Sequence, residues 1–293
     1  MYQFLSVFNG FICAIMITIN GTLTEHYNVY TAAVIIHIVG TLFAALLCLF
    51  QKEKKPLLGH APRWIYLGGA IGIFTTLSNN LAYGRISVTS ISALGLLGQI
   101  LTSLVVDHFG IFGMKKRPFQ KTSLPGLLFA AVGIFLMVRQ TDPTAVFGIF
   151  VALCGGISCV LSRSVNARLS EQVGALRGSL INHMVGLPCT IVVLLLTGGI
   201  QITAASTGSL LFLPMYLGGT MGVLSVLLYN VLVPNTSAFS LTILSFTGQL
   251  FAGITIDFLL GTPGDDITFW GGIIIAVGIL LNMILEHRGQ NRE

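Results

Sequence analysis

Apolar stretches of about 20 residues, the length that spans a bilayer, alternate along the chain with short polar breaks. Ten of them are long and apolar enough to predict membrane-spanning helices. Their limits are 3–24, 30–50, 64–84, 88–109, 124–141, 144–165, 176–198, 211–233, 237–260 and 268–286. Pro234 and Asn235 mark the short break before 237 as a turn. The pattern therefore predicts an all-α integral membrane protein.

Two parts of the chain repeat each other at nearly constant offsets. Residues 66–72 and 216–222 are identical at five of seven positions. The same offset of 150 pairs Asn80 with Asn230, Gln99 with Gln249 and Asp107 with Asp257. An offset of 146 pairs Asn20 with Asn166 and His37 with His183. The offsets change only near predicted loops, so the chain is predicted to be a duplicated five-helix unit.

The odd number of helices in each repeat determines how the repeats are related. The first repeat, residues 1–142, would end on the opposite side of the membrane from where it began. The second, residues 143–293, would therefore run in the inverted orientation. Many secondary transporters have this inverted-repeat architecture and bind substrate near the midplane. The predicted fold is ten transmembrane helices arranged as two inverted-topology five-helix repeats.

Composition and charge agree with this fold. Hydrophobic residues make up 54% of the chain and charged residues 9%, against about 25% charged residues in soluble domains. With the N-terminus inside, Arg85 and Arg139 are the exceptions among 15 Lys and Arg that otherwise fall on the cytoplasmic side. Arg163 is counted there because a side chain near the inner end of a span can snorkel to the surface. The positive-inside rule thus predicts both termini in the cytoplasm.

Several classes of site are not expected. The net charge of +5 lies in loops, which does not indicate nucleic-acid binding. The five cysteines all fall in apolar stretches, where they are typical packing residues. The sequence has no HExxH or paired CxxC spacing, so neither a metal site nor a cofactor is predicted. The first apolar stretch lacks a basic leader and is expected to be a retained helix.

Polar and small residues recur at every fourth position in two of the spans. One stripe carries Gln99, Ser103 and Asp107, which share one helix face. The second stripe consists of Ser245, Gln249, Gly253 and Asp257. Polar groups are costly in lipid, so we hypothesise that these stripes line a transport pathway. Gln99, Gln249, Ser103 and Ser245 would contact substrate, although interhelical hydrogen bonds also explain the glutamines.

Four titratable residues are candidates for ion coupling. Asp107 and Asp257 lie eight residues, about 12 Å, from the glutamines and towards opposite membrane surfaces. They could exchange protons or cations, or be helix-end charges, for which Asp107 has basic residues nearby at 115–117. His37 and His183 could shuttle protons or hold two helices together.

Three asparagines extend the list of candidate substrate contacts. Asn80 and Asn230 occupy equivalent positions in the third and eighth spans, where packing is the alternative role. Asn9 is paired with Gly155 and therefore breaks the repeat. A substrate without two-fold symmetry needs such unpaired contacts, which makes Asn9 a candidate.

A ten-span chain with inverted halves resembles the drug/metabolite transporter superfamily. Within it, Gly98-Gln99 with Asp107, and Gly248-Gln249 with Asp257, are similar to the YdcZ-like family of bacterial inner-membrane exporters. Asn20 and Asn166, which close the first helix of each half, carry the same resemblance. It implies gradient-driven export of small organic solutes from a bacterial inner membrane, without an ATPase domain.

One departure from the superfamily concerns coupling. Its small multidrug members carry a glutamate in the middle of the first helix. Here that helix offers Asn9, Cys13 and Thr18, and Glu25 lies only at its end. The glutamate-based antiport scheme is therefore not carried over, and the coupling ion stays open.

The predicted function is secondary active export of small organic metabolites or drug-like solutes by alternating access. A flippase for lipids or lipid-linked substrates is the alternative. A channel is less favoured because inverted repeats indicate alternation, and an enzyme because no nucleophile or metal constellation is found. The expected partners are a small-molecule substrate, membrane lipid and a proton or cation, and the chain is expected to be a monomer.

Overall fold

The structure is a computed structural model in which most of the described residues form helices. The described residues are 1–51, 62–114, 116, 124–138, 143–200, 214–261, 270, 271, 273, 274, 277, 278 and 281. The helices are α1 (Tyr2–His26), α2 (Val29–Leu49), α3 (Gly68–Ala82), α4 (Val88–Phe109), α5 (Leu124–Val138), α6 (Pro143–Val173), α7 (Ala175–Leu196), α8 (Gly218–Asn235) and α9 (Ala238–Leu259). Short 3-10 turns at Arg63–Leu67 and Pro214–Leu217 precede α3 and α8.

Seven of these helices are long and apolar enough to cross a membrane: α1, α2, α4, α6, α7, α8 with its preceding turn, and α9. The prediction of an all-α membrane protein is confirmed. α3 and α5 have 15 residues each, about 22 Å of helix, which is shorter than the hydrocarbon core of a bilayer. Most of the predicted span 268–286 falls outside the described residues.

The predicted end of the sixth span at 165 was wrong by eight residues, because α6 continues to Val173. Hydropathy falls after 165, but one face of the added turns is buried through Ala167 and Leu169. Arg168 and Glu171 form an ion pair at 2.8 Å on the exposed face. Gly174 ends the helix with φ +89°, a conformation that glycine adopts readily. Arg163 therefore lies well inside a helix.

Glycines allow close approach at two helix crossings. A Cβ on Gly98 of α4 would collide with the Leu153 carbonyl of α6. A Cβ on Gly248 of α9 would likewise collide with the Val7 carbonyl of α1. The two contacts are equivalent by the sequence offsets of 150 and 146. They set α4 against α6 and α9 against α1.

Apolar residues divide between an interior cluster and an outward surface. Between α4 and α9, a buried cluster includes Ile91, Leu94, Ile243 and Leu250. The outward faces expose many large apolar side chains, such as Leu42, Phe74, Leu195 and Phe251. An apolar surface of this extent suits contact with lipid. The polar residues of the helices are left to line the interior.

Candidate functional site

A central cavity lies among the helices and contains about 1040 Å³ of empty volume, including the part that is continuous with solvent at its mouth. Residues of α1, α2, α3, α4, α6, α7, α8 and α9 line it. It combines apolar walls with many amide and hydroxyl groups. A concave site of this size with a few convergent polar groups is typical of small-molecule binding.

The two stripe glutamines meet in this cavity. Gln99 of α4 and Gln249 of α9 both line it, and each is 7% exposed. Asn230 of α8 also lines it and donates a hydrogen bond from Nδ2 to the Ala175 carbonyl at 2.9 Å. The structure thus brings together three predicted substrate contacts that are far apart in the sequence.

The histidines His37 and His183 face each other across α2 and α7 and line the cavity. Their ring centroids are 5.8 Å apart. In each ring, Nδ1 lies 2.9–3.0 Å from the carbonyl oxygen four residues earlier, which favours a proton on Nδ1. Each Nε2 is then an acceptor. Gly40 and Gly186 provide the space for the rings, because a Cβ on either would contact the opposing histidine.

Four predicted substrate contacts are buried but do not line the cavity. Asn9, Asn80, Ser103 and Ser245 are each at most 2% exposed. Ser103 Oγ lies 2.9 Å from Thr242 Oγ1 on α9. Both side-chain polar atoms of Asn9 have no hydrogen-bond partner among the described residues. Gly155, the residue equivalent to Asn9, lines the cavity instead.

Asp107 and Asp257 cap each other's helices. Asp257 of α9 accepts hydrogen bonds from the Val88 and Thr89 backbone N–H groups at 3.3 and 3.0 Å, and from Thr89 Oγ1 at 2.5 Å. These N–H groups begin α4. A carboxylate at a helix N-terminus satisfies unpaired donors and interacts favourably with the helix dipole.

The reciprocal contact lies at the other end of the same helix pair. Asp107 of α4 accepts hydrogen bonds from the Ala238 and Phe239 N–H groups at 3.3 and 3.1 Å, where α9 begins. Helices α4 and α9 are therefore antiparallel. We call the two ends of this pair the Asp107 end and the Asp257 end. Neither aspartate lines the cavity, and the basic residues 115 and 117 lie outside the described residues.

Arg163 is a cavity residue that the sequence analysis did not predict. It is 3% exposed, so the prediction that it snorkels to the surface was wrong: α6 extends two turns beyond the predicted end and places it in the interior. Its guanidinium donates to Gln99 Oε1 and Ser103 Oγ at 3.3 Å each, to the Ala238 carbonyl at 3.1 Å, and to Thr242 Oγ1. We call these residues the Arg163 cluster.

A polar stripe on α6 was the signal that could have located Arg163. Ser162, Asn166 and Ser170 recur at every fourth position, Arg163 lies three residues before Asn166, and all four are buried. Their helix was cut at 165 by hydropathy alone. A helix face that stays polar beyond the apolar stretch indicates an interior position.

Charge is distributed unevenly around the cavity. Its lining includes Arg163 but, among the described residues, no aspartate or glutamate. The Arg163 guanidinium carbon also lies 5.3 Å from the centre of the Tyr229 ring, a cation–π contact. Apart from Arg163, which carries one permanent positive charge, the described polar groups of the cavity lining are therefore uncharged or titratable histidines.

The cavity is also uneven along its length. On α4, the lining runs from Gln99 through Gly95 and Ser92 to Ile91, close to the Asp257 end. On α9, the lining includes Gln249, while Thr242 is held in the Arg163 cluster. On α4 and α9 the lining therefore lies on the Asp257 side of the Arg163 cluster, whereas on α6 and α8 it continues to Asn166 and Asn230, towards the Asp107 end.

Comparison with known proteins finds a matching family and a similar fold. The model of the family described as "Putative inner membrane exporter, YdcZ" matches residues 1–136 and 147–285. One solved structure, described only as "Crystal structure of protein", is similar with a TM-score of 0.63 and 13% identity, covering 98% of this chain and 96% of that chain. At that identity the likeness concerns the fold alone. No curated protein matches the sequence.

Proposed function

The chain belongs to the YdcZ family of inner membrane exporters, and on that premise we propose that it is a secondary active transporter. It moves small organic solutes out of the cell by alternating access. The observation that carries the proposal is the central cavity, with polar groups from helices of both matched stretches. The cavity, with about 1040 Å³ of empty volume including its open part, has room for a small organic molecule, and its walls offer hydrogen bonds within an apolar bundle.

We propose that the chain is an inverted repeat, with residues 1–142 and 143–293 as the two halves and both termini in the cytoplasm. Equivalent contacts on the two halves support this arrangement. Asp107 and Asp257 each cap the other's helix, and His37 and His183 face each other. The family model matches the chain in two stretches of similar length.

Alternation would occur by rocking of the halves about the central region of Gln99 and Gln249. In this structure the Arg163 cluster holds α4, α6 and the start of α9 together at the Asp107 end. Opening of the cavity at that end requires this cluster to separate. A solute drives the change only if it binds the two states with different affinity. Asp107, Asp257, His37 and His183 remain the candidates for coupling a proton or cation.

A thermal-shift screen of the detergent-purified protein against a metabolite library, followed by counterflow of each hit in proteoliposomes, tests the proposal. A ligand that binds only the folded state raises its apparent stability. We expect hits that are lost in Gln99→Ala and Gln249→Ala and that exchange across the membrane. Hits that bind equally to both variants and never exchange would contradict it. Movement of labelled phospholipid between leaflets would instead favour the flippase.

A further inference from the structure

Arg163 poses an electrostatic problem that the fold alone does not solve. An arginine side chain stays protonated at all physiological pH values, even when buried. A buried charge is unfavourable unless an opposite charge accompanies it. Arg163 is 3% exposed and lies on the wall of a cavity inside an apolar bundle.

The neighbours of Arg163 do not supply that opposite charge. Each of its hydrogen-bond acceptors in the described part of the chain is a neutral oxygen of an amide, a hydroxyl or the Ala238 carbonyl. Its Nε has no partner among the described residues. The ion pair recorded there joins Arg168 to Glu171 instead. Arg163, which lines the cavity, therefore keeps a buried donor without an acceptor and a charge that none of its hydrogen-bond partners compensates.

The competing explanation is that Asp107 compensates Arg163 through the protein. Asp107 accepts from the Ala238 N–H, and the carbonyl of the same residue accepts from Arg163. The carboxylate is thus one residue away and is turned to the α9 N-terminus. It does not line the cavity and does not reach the free Nε. This path explains how Arg163 is held, but it leaves the Nε of this cavity-lining residue without an acceptor.

We propose that Arg163 is the anion-binding residue of the transport site and that the substrate is an organic monocarboxylate; this inference rests on the proposed transport function. Guanidinium and carboxylate groups form two parallel hydrogen bonds, for which the unpartnered Nε and the adjacent Nη2 are the matching donors. Because Nε is buried and Nη2 is held in the Arg163 cluster, the guanidinium must turn towards the cavity to form them. One guanidinium balances one carboxylate. A phosphate dianion would leave a net negative charge in a cavity whose described lining holds a single permanent cation.

The remaining lining defines the rest of the substrate. Amide groups of Asn79, Asn182 and Gln249 line the same cavity. They match hydroxyl or amide groups on a solute, while Ile36 and Val226 provide apolar wall. The substrate class is therefore a monocarboxylate that also bears hydroxyl or amide groups.

Anion binding also has a consequence for the Arg163 cluster. The Nη2 that an anion would engage now donates to Ser103, Thr242 and the Ala238 carbonyl. A carboxylate competes with these neutral acceptors because charge-assisted hydrogen bonds are the stronger ones. Substrate binding thus weakens the contact between α6 and the start of α9, at the end that must open.

The test uses the full chain in detergent and pairs of probes that differ in charge. N-acetylphenylalanine is compared with N-acetylphenylalaninamide, and gluconate with sorbitol. Glucose 6-phosphate serves as the dianion. We expect at least one carboxylate to raise the apparent melting temperature by a few degrees at millimolar concentration, with no shift from its neutral partner. The phosphate ester is expected to shift it less.

Variants of one helix assign the effect to Arg163. Arg163→Gln removes the charge and should weaken carboxylate binding at least about tenfold, whereas Arg163→Lys keeps the charge and should retain part of it. Arg168→Gln is the matched control, since it makes the same change five residues away at an exposed ion pair. It should bind like wild type. Size-exclusion profiles and helix content measured for each variant identify any that fail to fold.

Two results would overturn the inference. In the first, carboxylates shift the wild-type melting temperature no more than their neutral partners do. The site would then have no preference for anions, and no variant is needed to show it. A carboxylate shift that persists in folded Arg163→Gln would remove Arg163. In either case neutral solutes that exchange in proteoliposomes and depend on Gln99 or Gln249 would leave the proposed transport function standing. Loss of that exchange as well would contradict both.

Discussion

The Asp107 and Asp257 ends of the α4–α9 pair share a scaffold but differ in what fills them. At the Asp107 end, Arg163, Ser103 and Thr242 form a closed hydrogen-bonded cluster. The equivalent positions by the offsets of 146 and 150 are Ile17, Gly253 and Ser92. The Asp257 end has no comparable cluster among the described residues, and Ser92 lines the cavity there.

Residues that are identical at paired positions and residues that differ there therefore have different roles. The matched residues cap helices and hold them together, as the reciprocal hydrogen bonds of Asp107 and Asp257 show. The unmatched Arg163 places a charge on one side of a cavity whose glutamines are symmetric. In a duplicated chain, the departures from symmetry are where selectivity for an asymmetric solute is expected.

The largest effect is expected when the charge is placed at the other end. Ile17 is 5% exposed and packs in the apolar cluster of α4 and α9. Ile17→Arg would bury a cation at an end where Ser92 offers a hydroxyl but Gly253, in the place of Ser103, offers no side-chain acceptor. We expect a loss of about 3–5 kcal/mol in stability, the cost of an uncompensated buried charge. Thermal unfolding in detergent measures it.

Ile17→Met is the matched control, because it keeps an apolar side chain of similar volume and should cost less than about 1.5 kcal/mol. An Ile17→Arg protein that unfolds at the wild-type temperature would mean that both ends tolerate a cation. The difference between the Asp107 end and the Asp257 end would then have no electrostatic basis.

Removing the aspartate charges should have a smaller effect, somewhat larger for Asp257, which also accepts a hydrogen bond from Thr89 Oγ1. Asp107→Asn and Asp257→Asn each weaken hydrogen bonds to N–H groups at the start of a helix. Hydrogen bonds to charged groups contribute about 1.5–3 kcal/mol each, and asparagine retains one acceptor, so each variant should lose about 1–3 kcal/mol. Unfolding measurements on both variants test whether the two ends match.

The same pair of variants separates capping from coupling. If the aspartates act as caps alone, transport in the folded variants keeps the pH dependence of wild type. A variant with unchanged stability whose transport no longer responds to pH would identify that aspartate as a coupling residue instead.

Substitution of the two glutamines should reduce transport to different extents. Both line the cavity, but Gln99 also accepts a hydrogen bond from Arg163 at 3.3 Å. Gln99→Ala and Gln249→Ala should each reduce counterflow by about tenfold or more, the equivalent of about 1.4 kcal/mol. Gln99→Ala should be the more severe, because it also leaves Arg163 with one acceptor fewer. Equal transport by wild type and both variants would remove the glutamines from the site.

The smallest effect is expected from a single hydroxyl at the Asp107 end. Ser103→Ala removes the contacts with Thr242 and Arg163 while keeping the helix intact. A typical hydrogen bond contributes about 0.5–1.5 kcal/mol, so stability should fall by about 1 kcal/mol. Gly253→Ala is the comparison at the other end, and chemical unfolding of the two variants side by side would detect the difference. A larger loss of stability in Gly253→Ala than in Ser103→Ala would mean that the Asp257 end, and not the Asp107 end, is held together more tightly.

The sequence was sufficient to predict an all-α membrane protein and some of the residues that line the cavity. The glutamines and histidines were predicted because polar residues at helical spacing in apolar spans must face the interior. The caps made by Asp107 and Asp257 could not be predicted, since they depend on which helix begins beside each carboxylate. That juxtaposition joins residues about 130 to 170 positions apart, a matter of tertiary packing.

Arg163 was missed for a different physical reason. Hydropathy measures how apolar a segment is, but the last two turns of α6 are buried by protein instead of lipid. Their polar face, with Asn166 and Ser170, contacts other helices. A span that ends by hydropathy can continue as a helix wherever neighbouring helices provide the hydrogen bonds.

The central claim is that the cavity opens alternately at its two ends. The most direct measurement is the labelling of Ser92→Cys and Thr242→Cys, which occupy equivalent positions at the Asp257 and Asp107 ends. The five native cysteines are replaced, and a membrane-impermeant maleimide is applied to vesicles of each orientation. The account predicts labelling of the two positions from opposite sides, and a ligand that increases one reactivity must decrease the other. Labelling of both positions from one side, or a simultaneous rise in both, would contradict alternating access.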